Sequence, residues 1–252
     1  MSEPIYILKL GLENVRCFGE KAELDLSDGN GNWRQWTVIV GDNGLGKTTL
    51  LQILAGLEAR DTELQNGTKS GYDYKLIEFY YRNSFIIASK IKAGISKVLF
   101  ELNDNVEYEI AFHNTQGRRV DWRTVDFPIN TFGYGANRFM SSTSLVEYRS
   151  ENSVTLFDDD AKLINAEEWL LQLDYSASKE SPVQEYAQKK RDQVKEILIE
   201  LLPDVSAIRF TEPTKENLKS NIEFQTSFGW VKIHELSLGY KTMIAWMVDL
   251  AA

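Results

Sequence analysis

The sequence predicts an α/β fold of the phosphate-loop kind, opening with an antiparallel β region and carrying a helical subdomain further on. Three observations point there. Apolar residues alternate over the first forty positions; the stretch GDNGLGKTTLLQILAG, Gly41 to Gly56, sets a glycine-rich turn between an apolar run and a helical repeat; and from Asn165 the apolar period lengthens to that of a helix.

Taken in order, Tyr6, Leu8 and Leu10 share one side of a first strand, and Ala22, Leu24 and Leu26 one side of a second. Asp28-Gly29-Asn30-Gly31 marks a turn, and Trp36-Thr37-Val38-Ile39-Val40 reads as a strand entering the glycine loop. Leu50, Ile53, Leu54 and Leu57 then recur at helical spacing, which predicts a helix from Thr48 to about Arg60 packed on the sheet. Residues 61–73 are polar and read as exposed loop. Strands are expected at Lys75–Arg82, Ser96–Leu102, Val106–Phe112 and near Asn130–Tyr134, together forming an inserted antiparallel sheet. Asn165 with Glu168 three residues on resembles a capping box, and Trp169, Leu170 and Leu173 continue the helix. A second helix is predicted from about Pro182 to Leu202, with Val194, Ile197, Leu198 and Leu201 on one face and Pro203 closing it. Ile222 and Phe224 face Val231 and Ile233 across Thr226-Ser227-Phe228-Gly229 as a hairpin. Tyr240, Met243, Ile244, Met247 and Val248 return to helical spacing, so Leu236-Ser237-Leu238-Gly239 lies just before a helix N-terminus. The expected organisation is a nucleotide-binding lobe over 1–160, a helical subdomain over 161–203, and a hairpin, turn and helix over 204–252.

Composition narrows the function classes. With 43% hydrophobic residues in 252, an ordinary core can be buried. A net charge of −9 argues against a sequence-blind grip on a nucleic-acid backbone by the surface as a whole. A single cysteine, Cys17, excludes an intrachain disulfide, fits a reducing compartment and is expected to be a buried thiol. His113 and His234 are isolated, with no metal-ligand spacing. Neither a secretory leader nor a membrane-length apolar run is present, so the cytoplasm is the expected location and no membrane partner is expected.

The glycine loop carries the clearest chemistry. Gly41, Gly44 and Gly46 let the backbone curl so that the amides of Asp42, Asn43, Leu45 and their neighbours point at phosphate oxygens, and the helix start adds partial positive charge. Lys47 is placed to reach the β and γ phosphates and stabilise their charge, the Thr48 hydroxyl to hold Mg²⁺, and Thr49 to touch the α-phosphate side. ATP with Mg²⁺ is the expected ligand. The general base is not identified. An acidic metal-holding strand has two imitators, Val154–Asp159 with Asp158 at its end and Ile244–Asp249; the second has helical spacing and the first runs into three aspartates typical of a turn.

Together, LENVRCFGE, GDNGLGKTTLLQILAGL, FGYGANR and LSLGYK resemble the ABC-type ATPases of the SMC, RecF and OLD group, most closely the ATPases of bacterial antiphage systems such as Septu and certain retrons. The resemblance implies an ABC-ATPase-like fold in which two copies sandwich nucleotide. It puts the Ser237 hydroxyl and the Gly239 amide against a partner's ATP, though LSLGYK also reads as a plain serine-capped helix start. Tyr240 and Lys241 depart from the glycine-rich transporter form. Arg16 matches a basic position that approaches nucleotide, or is an ordinary surface arginine; Tyr134–Arg138 matches a γ-phosphate-sensing segment, or is a turn built on Gly133 and Gly135.

In the family an acidic Asp-Glu strand follows the signature helix, so a C-terminal continuation is expected, and binding should outlast hydrolysis without it. Lys75, Arg82, Lys90, Lys92 and Lys97, interleaved with Phe79, Tyr80, Tyr81 and Phe85, form a basic stretch that serves nucleic acid or solvates a strand region. The resemblance implies an ATPase forming a homodimer or higher homo-oligomer around ATP and regulating an associated nuclease effector, with any nucleic-acid contact indirect. The rivals are a DNA-clamping repair or chromosome-organising ATPase and a self-contained phosphate-loop hydrolase using Asp158.

Overall fold

The computed structural model describes residues 5–61, 72–77, 95–104, 106–113, 119–122, 125, 127–136, 138–142, 153–215 and 219–252. The chain divides after Gly133 into two compact units.

The first unit contains, in chain order, β1 (Ile7–Glu13), β2 (Ala22–Asp25), α1 (Lys47–Gly56), β3 (Ala59–Asp61), β4 (Tyr72–Tyr74), β5 (Ile95–Leu102), β6 (Glu107–His113) and β7 (Arg119–Trp122). Five strands form one antiparallel sheet in the order β2-β1-β5-β6-β7, and β3 pairs with β4 apart from it. Period-two patterning sorts its faces. Leu8, Leu10 and Leu12 of β1 are buried with Val98, Phe100 and Leu102 of β5 and Ile110 and Phe112 of β6. On the other face cross-strand ion pairs, Lys9–Glu101 and Lys97–Glu109, stand in water.

Several expectations are corrected here. The sheet over 95–122 is no separate insertion, because β1 lies between β2 and β5 and makes it one sheet; alternation identifies strands but not their partners. Trp36–Val40 is not a strand. No strand among the described residues pairs with it, and Trp36, Val38 and Val40 are 83%, 82% and 84% exposed, since apolar composition alone does not make a strand without a neighbour's hydrogen bonds. The helix forecast to reach Arg60 stops at Gly56, where a β-carbon would stand 2.8 Å from Leu76. Beyond it Ala59 exchanges backbone hydrogen bonds with Ile129 at 2.9 and 3.3 Å, which a helix would forbid. Around the forecast strand at Asn130–Tyr134 the regular pairing among the described residues is this bridge. Lys75–Ile77 is a helical turn rather than the start of a strand, and the remainder of that forecast strand, 78–82, falls outside the described residues.

The second unit contains α2 (Val154–Phe157), α3 (Ala166–Ser178), α4 (Gln184–Leu201), β8 (Ala207–Thr211), β9 (Asn221–Thr226), β10 (Gly229–Lys232) and, after a 3₁₀ turn at Ile233–Glu235, α5 (Leu238–Ala251). Asn165 caps α3 as expected, its side chain accepting the Glu168 N–H at 3.3 Å. The hairpin forms with Val231 opposite Phe224, while β8, missed in the sequence, adds a third strand beside β9. Leu170, Leu198, Ile222, Phe224, Ile244 and Val248 make one core. Val154–Phe157, a strand candidate in the sequence, is helical, with Thr155 and Leu156 buried.

Candidate functional site

The glycine loop runs straight into α1. Gly44 and Gly46 have φ of +87° and +89°, the left-handed region that a side chain resists, and Gly46 is the N-cap of α1. Gly41, Asp42, Asn43, Gly44, Leu45 and Thr48 are exposed, so an anion has access to their backbone. Lys47 folds back over its own loop, its ammonium donating to the carbonyls of Gly41 at 2.6 Å and Asp42 at 2.7 Å. Glycines in the conformation a phosphate cradle needs, a lysine turned into it and an open helix N-terminus fit a triphosphate. Thr49 differs from its neighbour: it is buried, and its hydroxyl accepts from Arg16 Nη1 at 3.4 Å.

Arg16 is thus no ordinary surface arginine. Its guanidinium also donates to Gln52 Oε1 at 3.1 Å, bracing the first turns of α1, and burial holds its pKa below the usual arginine value. Cys17, expected to be buried, is exposed. The correction follows from its place on the tip of the turn between β1 and β2, away from the apolar rows of the sheet. Sequence spacing carried no signal for this group, because Arg16 and Gln52 stand 36 positions apart.

In the second unit Ser237 is the N-cap of α5 in extended backbone, and its side chain makes no capping hydrogen bond. Ser237, Leu238 and Gly239 are all exposed, and a β-carbon on Gly239 would meet nothing nearer than the Ser237 Oγ at 3.9 Å. A glycine inside a helix costs up to about 1 kcal/mol against alanine. Among the described residues neither backbone angle nor packing requires it here. The plain serine-capped reading of LSLGYK loses its cap.

Tyr134 and Gly135 are built into the unit. Tyr134 Oη donates to Asp249 Oδ2 at 3.2 Å and its ring meets Trp246 edge-on at 6.0 Å, while a β-carbon on Gly135 would come within 2.0 Å of the Thr155 carbonyl oxygen. Asp249 lies on α5 and also accepts the Ile164 N–H at 3.4 Å. Asp158 ends α2 in an exposed turn, accepting the Asp160 N–H at 2.9 Å, and neither aspartate belongs to a strand. In the basic stretch Lys75 is buried against Glu58 and Lys97 pairs with Glu109. Arg82, Lys90, Lys92 and the four aromatics between Phe79 and Phe85 lie outside the described residues. Among the described residues no cluster of metal-ligating side chains occurs, and no helix is long and apolar enough to cross a membrane.

An α/β chain whose left-handed glycines and inward-turned lysine open onto a helix start is an ATP-binding protein of the phosphate-loop class, and an ATPase. The chain belongs to the AAA domain family, whose profile matches residues 9–236. Among solved structures it is similar to an SMC head bound to the C-winged helix domain of ScpA, at 19% identity and a TM-score of 0.45 over 98% of this chain and 76% of that one. It is also similar to the recombination mediator RecF solved with ATP, at 14% identity and a TM-score of 0.39 over 98% of this chain and 80% of that one. No curated protein matches the sequence.

Proposed function

We propose that the protein is an ABC-type ATP-dependent switch: two copies pair around ATP, and the paired form controls an associated effector, a nuclease in a cytoplasmic antiphage system. Gly41–Thr49 of one copy would hold the triphosphate, with Lys47 neutralising it and Thr48 holding Mg²⁺. Ser237 and Gly239 of the other copy would complete its shell. ATP then favours the paired state over ADP by whatever differential contact the terminal phosphate makes.

The observation that carries this reading is the exposed Ser237–Gly239 turn, whose hydroxyl makes no capping hydrogen bond and whose glycine is crowded by no other side chain among the described residues. A hydroxyl and amides at a helix start attract an anion arriving from outside. The effector and the defence role rest on the sequence resemblance. The test is mass in solution by light scattering with MgATP, MgADP and no nucleotide, with pairing expected under MgATP alone. Phage plaque counts on cells carrying the full gene with its neighbours should rise for Lys47→Ala. A protein that stays monomeric with MgATP but gains salt-sensitive DNA binding would replace this reading with the DNA-clamping one.

A further inference from the structure

The turn between β1 and β2 is strained and tied down. Asn14 and Arg16 both lie in the left-handed region, with φ of +53° and +48°, a conformation that costs non-glycine residues on the order of 1 kcal/mol each. It is held by the Asn14 amide donating to the Ile95 carbonyl at 3.2 Å, the Ser96 hydroxyl donating to the Asn14 carbonyl at 2.6 Å, and the Phe18 N–H donating to the Val15 carbonyl at 2.8 Å. Its three outer side chains all bear on the start of α1. Arg16 takes Thr49 and Gln52, while a β-carbon on Gly46 would lie 2.5 Å from Cys17 Sγ and 2.9 Å from two carbons of the Phe18 ring.

We propose that this turn is a clamp that sets the position of the phosphate loop, with Cys17 and Phe18 as positioning residues for triphosphate binding. The inference rests on the reading of Gly41–Thr49 as the cradle. Left-handed glycines such as Gly44 and Gly46 are locally the most permissive positions of the chain, so amides aimed at phosphate oxygens must be fixed by what packs behind them. The wall behind Gly46 is the Cys17 sulfur and the Phe18 ring, and the rigid turn carries both. A loop so coupled must act back on its clamp when it binds.

The test is equilibrium binding of a fluorescent ATP analogue with Mg²⁺ to wild type, Phe18→Leu and Phe18→Ala, well below their thermal midpoints. Phe18→Ala should bind about tenfold more weakly and Phe18→Leu within about threefold of wild type, the loss expected when a positioning contact is cut back. A role in stability alone would lower the midpoint and leave these affinities equal, which overturns the clamp. A wild type that binds no nucleotide overturns the cradle reading itself. Should Phe18→Ala fail to fold, wild type gives the second measurement. The single thiol, Cys17, should react with an aromatic disulfide reagent at least about fivefold more slowly under saturating MgATP, and an unchanged rate overturns the clamp.

Discussion

The Lys47 ammonium lies 2.6 Å from the Gly41 carbonyl oxygen, so the lysine is tied to the glycine loop that precedes it. A second carbonyl, that of Asp42, accepts from it at 2.7 Å. These bonds position a cation over the curl of the loop. Lys47→Ala removes both the cation and the tie. ATP-analogue fluorescence should report a loss of about a hundredfold or more, since a charge-assisted contact to phosphate is among the stronger polar interactions. Affinity within a few-fold of wild type would mean that the anion is held elsewhere.

At the second turn two substitutions pull in opposite directions. Gly239→Ala finds room in the first turn of α5, its methyl meeting only the Ser237 Oγ at 3.9 Å, so it should stabilise the chain by up to about 1 kcal/mol and raise the thermal midpoint by up to about 2–4 °C. Under the proposed pairing the new methyl would meet a partner's nucleotide, and MgATP-driven pairing should weaken. Ser237→Arg should leave nucleotide binding intact and abolish pairing. Light scattering beside a thermal melt separates the effects. Unchanged pairing in both variants removes the turn from the interface.

How much of this was legible in the sequence depended on how local each feature is. The glycine loop, α1, the Asn165 cap and the hairpin at Phe224 and Val231 are written in consecutive residues, and all were legible. Their partners were not. Nothing in the string says that β1 joins β5 across 84 or more positions, that Gly56 must yield to Leu76, or that Trp36–Val40 pairs with no strand among the described residues. At Val154–Phe157 four apolar or β-branched residues before an aspartate suggested a strand, yet a run so short follows its tertiary surroundings. The contact of Arg16, Cys17 and Phe18 with the start of α1 is likewise a product of folding, invisible to spacing.

Asp249 offers a discrimination between two roles for one carboxylate. Its oxygens accept from Tyr134 Oη and the Ile164 N–H, which ties α5 to the segments beside it. Asp249→Ala leaves two donors without their acceptor and should cost about 2 kcal/mol in urea unfolding, with Tyr134→Phe near 1 kcal/mol. Asp249→Asn keeps a carbonyl acceptor and should fall between Asp249→Ala and wild type in stability. An acid that holds the metal would give the reverse pattern, in which Asp249→Asn keeps its stability and loses ATP turnover.

Glu58 and Lys75 make a buried ion pair in the first unit, with side chains 4% and 2% exposed and a nitrogen–oxygen separation of 3.5 Å. Their backbones are joined as well, the Lys75 N–H donating to the Glu58 carbonyl at 2.8 Å. Pairs of this kind return little net stability, because desolvating both ions offsets their attraction, but removing one ion takes this counter-charge from the other. Lys75→Met should therefore destabilise the chain by about 3–5 kcal/mol, and adding Glu58→Leu should restore most of that loss. The same variants decide what the lysine is for. A lysine serving a polyanion surface would lose nucleic-acid affinity on substitution and leave stability nearly unchanged. Here Lys75→Met with Glu58→Leu should refold to near wild-type stability with unaltered nucleic-acid retention at low salt, because a side chain this deeply buried presents no charge to solvent.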